Sequence, residues 1–196
     1  MLFRSLDPNA GKIVVVSRLA TTGSPDVVAR YNTNGSLDTS FARGAGYETL
    51  SNLNNVPSVA IQADGRIIVA GNHGNGPMEL DRLNTDGSFD ANFGSGGIVT
   101  VNPANTYYSA RDVTIASDGK IQVAGGTVNT NTAFFVARFN SADGSLDTGF
   151  GAGGVAVASG SDLFFGTVGM ALEPDGGIVV AGSQTPGGGA LARFLA

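Results

Sequence analysis

Residues 82–93 read RLNTDGSFDANF. The same pattern stands at 30–41 as RYNTNGSLDTSF and, one residue longer, at 138–150 as RFNSADGSLDTGF. A fourth copy opens at Arg193-Phe194. The four arginines lie 52, 56 and 55 residues apart. A period of that length marks one supersecondary unit repeated along the chain.

A second marker keeps step with the first. Gly65-Arg66-Ile67-Ile68-Val69-Ala70 recurs as Gly11-Lys12-Ile13-Val14-Val15-Val16, Gly119-Lys120-Ile121-Gln122-Val123-Ala124 and Gly176-Gly177-Ile178-Val179-Val180-Ala181. Short β-branched runs behind a glycine read as strands. Both alternating faces are apolar, Ile67 and Val69 on one and Ile68 and Ala70 on the other, so such a strand is covered on both sides. Gln122 is the one polar departure. A shorter apolar run precedes three of these strands, at 59–61, 113–115 and 170–172, and Asp-Gly joins the two (Asp64-Gly65, Asp118-Gly119, Asp175-Gly176). Asp-Gly between apolar runs signals a hairpin, because glycine tolerates the positive φ of the turn. A variable polar loop follows, then a third strand ending in the arginine motif. After a turn rich in Asn, Asp, Gly and Ser comes a fourth strand such as Ile98-Val99-Thr100-Val101.

The fold expected is all-β. It is of β-propeller type, about four four-stranded antiparallel units of about 54 residues, since blades packed face to face need strands apolar on both sides. The units fall roughly at 1–55, 56–109, 110–166 and 167–196, the last truncated, within one repeat domain. They form either a small four-bladed ring or an arc of a larger propeller. A plain sandwich would not demand near-identical copies.

The composition agrees and excludes several classes of function. Glycine supplies 30 of 196 residues and charged residues only 14%, as many tight turns and strands buried on both faces require. The net charge is −5 and no Lys/Arg cluster appears, so no nucleic-acid partner is expected. No apolar run approaches the ~18 residues of a membrane span, and residues 1–16 show no signal peptide. With no cysteine, thiolate metal sites are excluded.

The pattern DGKI-V-AG, then AR-N-DGSLDTSFG, then GG resembles the delta-60 repeat family of bacterial β-propeller-like proteins over essentially the whole chain. The departures are Asn34 in place of the Asp of DGSLD, Ala91-Asn92 for Thr-Ser, and Ala42-Arg43 where Phe-Gly is usual. The resemblance implies a propeller and an extracellular or cell-surface setting, and brings no catalytic residues.

Side chains present in every unit are most simply explained by folding; function sits where units differ, on loops at one face. Oxygen-bearing residues around Gly87 resemble a calcium loop, which would need more carboxylates and a terminal bidentate Glu. They read instead as a turn capped by its own side chains, and neither metal nor cofactor is expected. Arg30, Arg82 and Arg138 are expected to form bidentate ion pairs with Asp38, Asp90 and Asp147 of their own motifs. Unit-specific residues are the ligand-binding candidates: His73 and Asn75 in the loop 72–76, and Tyr107-Tyr108, read either as an exposed pair suited to protein or carbohydrate contact or, as Phe164-Phe165 are, as core between units. The favoured function is a non-enzymatic scaffold for a protein or carbohydrate ligand, with no catalytic residue. The alternative is a saccharide-acting hydrolase or lyase using loop carboxylates such as Asp64, Asp118 and Asp175. Counted along the chain there are about fifteen strands, one short of four full blades. Apolar end faces are therefore expected to drive self-association.

Overall fold

The structure, a computed structural model, describes residues 2–6, 11–18, 25–50, 53, 55–73, 76–101, 108–127, 133–158, 169–184 and 188–195. Among them fifteen strands form four antiparallel sheets, each strand pairing with its neighbour in sequence. The first sheet holds β1 (Leu2–Leu6), β2 (Ile13–Arg18), β3 (Asp26–Tyr31) and β4 (Tyr47–Leu50); the second β5 (Asn55–Ile61), β6 (Ile67–Asn72), β7 (Met78–Leu83) and β8 (Ile98–Val101). The third holds β9 (Tyr108–Ile115), β10 (Ile121–Thr127), β11 (Phe134–Phe139) and β12 (Val155–Ala158). Three strands make the fourth: β13 (Gly169–Leu172), β14 (Ile178–Gln184) and β15 (Gly188–Phe194). The architecture is an arc of propeller blades.

Three hydrophobic clusters join consecutive sheets. Val14, Val16, Val28 and Leu50 of the first meet Val59, Ile67, Val69 and Leu83 of the second. Ile68, Ala70, Met78 and Leu80 then meet Ile121, Val123, Phe135 and Phe139 of the third. Ala124, Phe134 and Val136 meet Ile178, Val180, Ala190 and Phe194 of the fourth. Alternation along β6 sends Ile67 and Val69 one way and Ile68 and Ala70 the other. All four are buried, which is why that strand has no polar face.

The Asp-Gly hairpins form as their sequence dictates. Gly65 sits at φ +85° and Asp64 Oδ1 accepts a hydrogen bond from the Arg66 amide at 3.0 Å. Asp118 does the same for Lys120 and Asp175 for Gly177. These hairpins and the arginine-motif turns lie at one end of the sheets. The loops joining each second strand to its third, and each sheet to the next, lie at the other. The first strands of adjacent sheets lie beside one another. Asp112 on β9 ties three of them, accepting from Ser58 Oγ on β5 at 3.0 Å and from the Met170 amide on β13 at 2.9 Å.

Candidate functional site

The arginine motif folds the same way three times. In the second unit the Asp90 amide bonds the Arg82 carbonyl at 2.9 Å, turning the chain so that the two side chains meet. Arg82 Nε donates to Asp90 Oδ2 at 2.9 Å, Arg30 to Asp38 at 2.6 Å and Arg138 to Asp147 at 2.8 Å. Each guanidinium lies over the motif's own phenylalanine, 4.3–4.5 Å from the rings of Phe41, Phe93 and Phe150, a cation–π contact.

The bidentate geometry expected from sequence is not what forms. Only Nε serves the carboxylate. Terminal nitrogens cross to the next sheet: Arg30 Nη1 donates to the Thr85 carbonyl at 2.5 Å, while its Nη2 stays on Ser40 Oγ, and Arg82 donates to the carbonyls of Ser141 and Ala142. The Ala42 and Gly94 amides add bonds of 2.7 and 2.8 Å to the carbonyls of Asp86 and Asp143. The first two motifs thus seat the turn of the following unit, at residues 84–87 and 140–144. For Arg138 the corresponding carbonyl belongs to Ala196, outside the described residues. The Oδ2 that accepts the arginine Nε also takes a second cation that sequence reasoning missed: Lys12 on Asp38 (2.5 Å), Arg66 on Asp90 (3.0 Å) and Lys120 on Asp147 (3.1 Å). The signal was present, since a basic residue follows the hairpin glycine in all three units.

Electrostatics follow from these contacts. Burial alone would raise the Asp38 carboxyl, but hydrogen bonds from Lys12, Ser40 and Arg30 outweigh it and hold the group well below the usual carboxylate range. Asp90 is likewise lowered: its burial is outweighed by bonds from the Asn92 amide and Arg66 and by the charge of Arg82. The hairpin carboxylates are engaged as well. Arg66 lowers Asp64, and the Gly177 amide lowers Asp175. Asp86 and Asp143 cap the Ser88 and Ser145 amides of their turns. Among the described residues no group of three or more His, Cys, Asp or Glu could hold a metal ion.

Of the unit-specific residues, His73 and Tyr108 are described. His73 is exposed in a turn closed by the Gly76 amide on its carbonyl at 2.8 Å. Asn75 and Tyr107 fall outside the described residues, as do Phe164-Phe165. Tyr108 corrects an expectation: it is 6% exposed and meets the Phe135 ring edge-on at 4.7 Å between centroids. It is the first residue of β9, so its side chain belongs to the core between the second and third sheets. Next to His73, Asn72 donates to the Tyr108 carbonyl at 2.6 Å and accepts from the Ala110 amide at 3.1 Å, fixing the start of β9. A bulge there leaves Arg111 outside the ladder, half-buried. The second sheet holds two acids foreign to the repeat. Glu79 and Asp81 on β7 are 2% and 1% exposed, and Glu79 Oε1 and Asp81 Oδ1 have no hydrogen-bond partner among the described residues. Burial raises both carboxyls; Asp81, with Glu79 beside it, is pushed up to about 8.

Fold and motif define a propeller-type repeat protein whose units are latched head to tail. The chain belongs to the family described as a domain of unknown function (DUF5122) beta-propeller, whose model matches residues 11–41, 62–93 and 116–150, together half of its length. No curated protein matches it. Among solved structures it resembles a protein of unknown function from Bacteroides caccae (TM-score 0.53, 12% identity, 93% of this chain and 56% of that one). It also resembles a gluconolactonase from Xanthomonas campestris (0.54, 18%, 98% and 57%) and an α-L-arabinofuranosidase from Clostridium thermocellum (0.50, 14%, 93% and 60%). The chain spans just over half the length of these propellers, and at such identities the likeness is one of fold alone.

Proposed function

We propose that the chain is a non-enzymatic binding scaffold of the delta-60 repeat type, outside the cell or at its surface, that takes a protein or carbohydrate ligand at its variable-loop end around His73 and Arg111. The observation carrying this reading is the division of labour between the two ends. At the hairpin end, every arginine-motif aspartate of the first three units holds two cations. Those side chains are committed to holding the sheets. At the other end the connecting loops differ from unit to unit, which is where repeat proteins carry recognition. Among the described residues no helix is long and apolar enough to cross a membrane, and the extracellular setting rests on the family resemblance.

Binding of the chain to glycan and protein panels tests this, with His73→Ala and Arg111→Ala at one end and Asp118→Ala at the other. Loss of binding in the first pair and retention in the third is expected; the reverse pattern contradicts the reading. The second reading, a saccharide-acting hydrolase or lyase, draws on the gluconolactonase and arabinofuranosidase that share the fold. It needs an accessible acid kept protonated near neutral pH. The two raised carboxyls, Glu79 and Asp81, are buried within the stack of sheets. Hydrolysis of a panel saccharide abolished by Asp118→Asn would favour the enzyme instead.

A further inference from the structure

The two end sheets carry the two halves of a contact that the chain makes three times internally. At each internal contact the outgoing face of one sheet meets the incoming face of the next. The incoming face of the second sheet carries Ile67, Val69, Leu83 and Phe89, and that of the third carries Ile121, Val123, Phe139 and Leu146; all are covered or packed against the neighbouring cluster. The corresponding residues of the first sheet are Ile13, Val15, Tyr31 and Leu37. They are only partly buried, and Leu37 is 39% exposed. The outgoing face of the second sheet carries Ala60, Ile68, Leu80 and Arg82, all buried; in the fourth sheet those places are held by Ala171, Val179, Leu191 and Arg193. Leu191 is 75% exposed where Leu80 is fully covered.

The turn that accepts the arginine is also preformed, while Arg193 itself is held by Glu173 at 2.5 Å and Asp175 at 2.7 Å. Internally, arginine reaches the turn carbonyl of the next unit. The first unit's own turn has the same closed shape as the seated one: Gly35 N–H to the Asn32 carbonyl at 2.9 Å and Asn32 N–H to the Ser36 carbonyl at 2.8 Å, against 3.0 and 2.7 Å for Gly87 and Asn84. Around Gly87 a Cβ would meet Phe41 and the Ala42 amide at 2.8–2.9 Å, whereas around Gly35 nothing lies within 4 Å. Among the described residues, none covers the first turn at Gly35.

We infer that a second copy of this chain docks head to tail, its first sheet on the fourth sheet of the first copy. Leu191 and Val179 then cover Ile13, Val15 and Leu37, and Arg193 faces the turn at residues 32–36. The occupant follows from continuity with the internal contacts, because each open face already matches its counterpart at the other end of the same chain. The contact is heterologous, one outgoing face against one incoming face.

Sedimentation of the chain over two decades of concentration, with Leu37→Asp and Leu191→Asp, tests this, folding being checked by circular dichroism. The wild type is expected to associate and each variant to stay monomeric, with association weakened about tenfold or more. An equimolar mixture of the two variants is expected to recover a one-to-one pair that grows no further. Each variant keeps the face the other has lost, and only a heterologous contact allows that rescue. Arg193→Glu, which leaves both apolar faces intact, is expected to weaken association as Leu191→Asp does. A monomeric wild type at every concentration overturns the proposal, as does association unchanged by the substitutions. A Leu37→Asp variant that still pairs with itself overturns it too, since the contact would then join two outgoing faces.

Discussion

Asp81 stands where the first and third units carry Ala29 and Ala137, and the difference is measurable. In the folded chain its carboxyl keeps a proton up to about pH 8, while the unfolded chain releases it near 3.8. Between those values the folded state binds more protons, so this group makes stability fall as pH rises; above pH 8 its cost is constant. Asp81→Ala, the residue of the neighbouring units, is expected to raise stability by about 1–3 kcal/mol at pH 8 and much less at pH 4. Urea midpoints at the two pH values read the effect, and a gain that does not grow with pH would contradict it. Arg82 acts in the opposite sense. It is fully buried, paired with Asp90 and bonded to the third sheet. Arg82→Met leaves Asp90 short of a partner and the turn carbonyls unbonded, and should cost about 3 kcal/mol or more. Arg193→Met, at an exposed pair, should shift stability by no more than about 0.5 kcal/mol. Equal effects at the two sites would remove the distinction between latched and open arginines.

At the level of the turn, glycine at one position has two jobs that substitution can separate. Gly35 and Gly87 both hold φ near +85° (+84° and +89°), but only Gly87 lies against a preceding sheet. Gly35→Ala should cost the left-handed strain alone, about 1–2 kcal/mol. Gly87→Ala should cost about 1–3 kcal/mol more, because its Cβ would strike Phe41 and the Ala42 backbone. Thermal melts of the two variants compare them, and matching losses would mean that the turn is not seated between sheets. Elements of this kind were largely legible in the sequence. The period, the Asp-Gly hairpins and runs such as Ile67-Ile68-Val69-Ala70 state the strands, their order and their burial on both faces. The pairing of Arg82 with Asp90 was legible because one of each recurs at fixed spacing. The reach of Arg82 to Ser141 was not, since its acceptor is a backbone carbonyl 59 residues away and carries no side-chain signal. Tyr108 misled for a related reason. Its neighbours suggest a loop, and only the register Thr127↔Tyr108 shows that it already belongs to β9.

For the whole molecule, the first three sheets become one body because each of the first two motifs grips the turn of the next unit, and the fourth sheet joins through an apolar cluster. None of the sheets buries both its faces alone; the three interfacial clusters do so only when the sheets are stacked. The grip can be observed at one amide. Gly94 is an exposed residue, yet its N–H bonds the Asp143 carbonyl of the third sheet at 2.8 Å. Gly151 holds the same place in the third unit, with φ +54° against +53°, and has no such bond among the described residues. Native-state hydrogen exchange of these two amides is the most direct measurement. Stacked sheets predict that the Gly94 amide exchanges as slowly as the strands of β6 and β10, opening only when the sheets part, while the Gly151 amide exchanges far faster. Rapid exchange at Gly94, equal to that at Gly151, would contradict the head-to-tail latch.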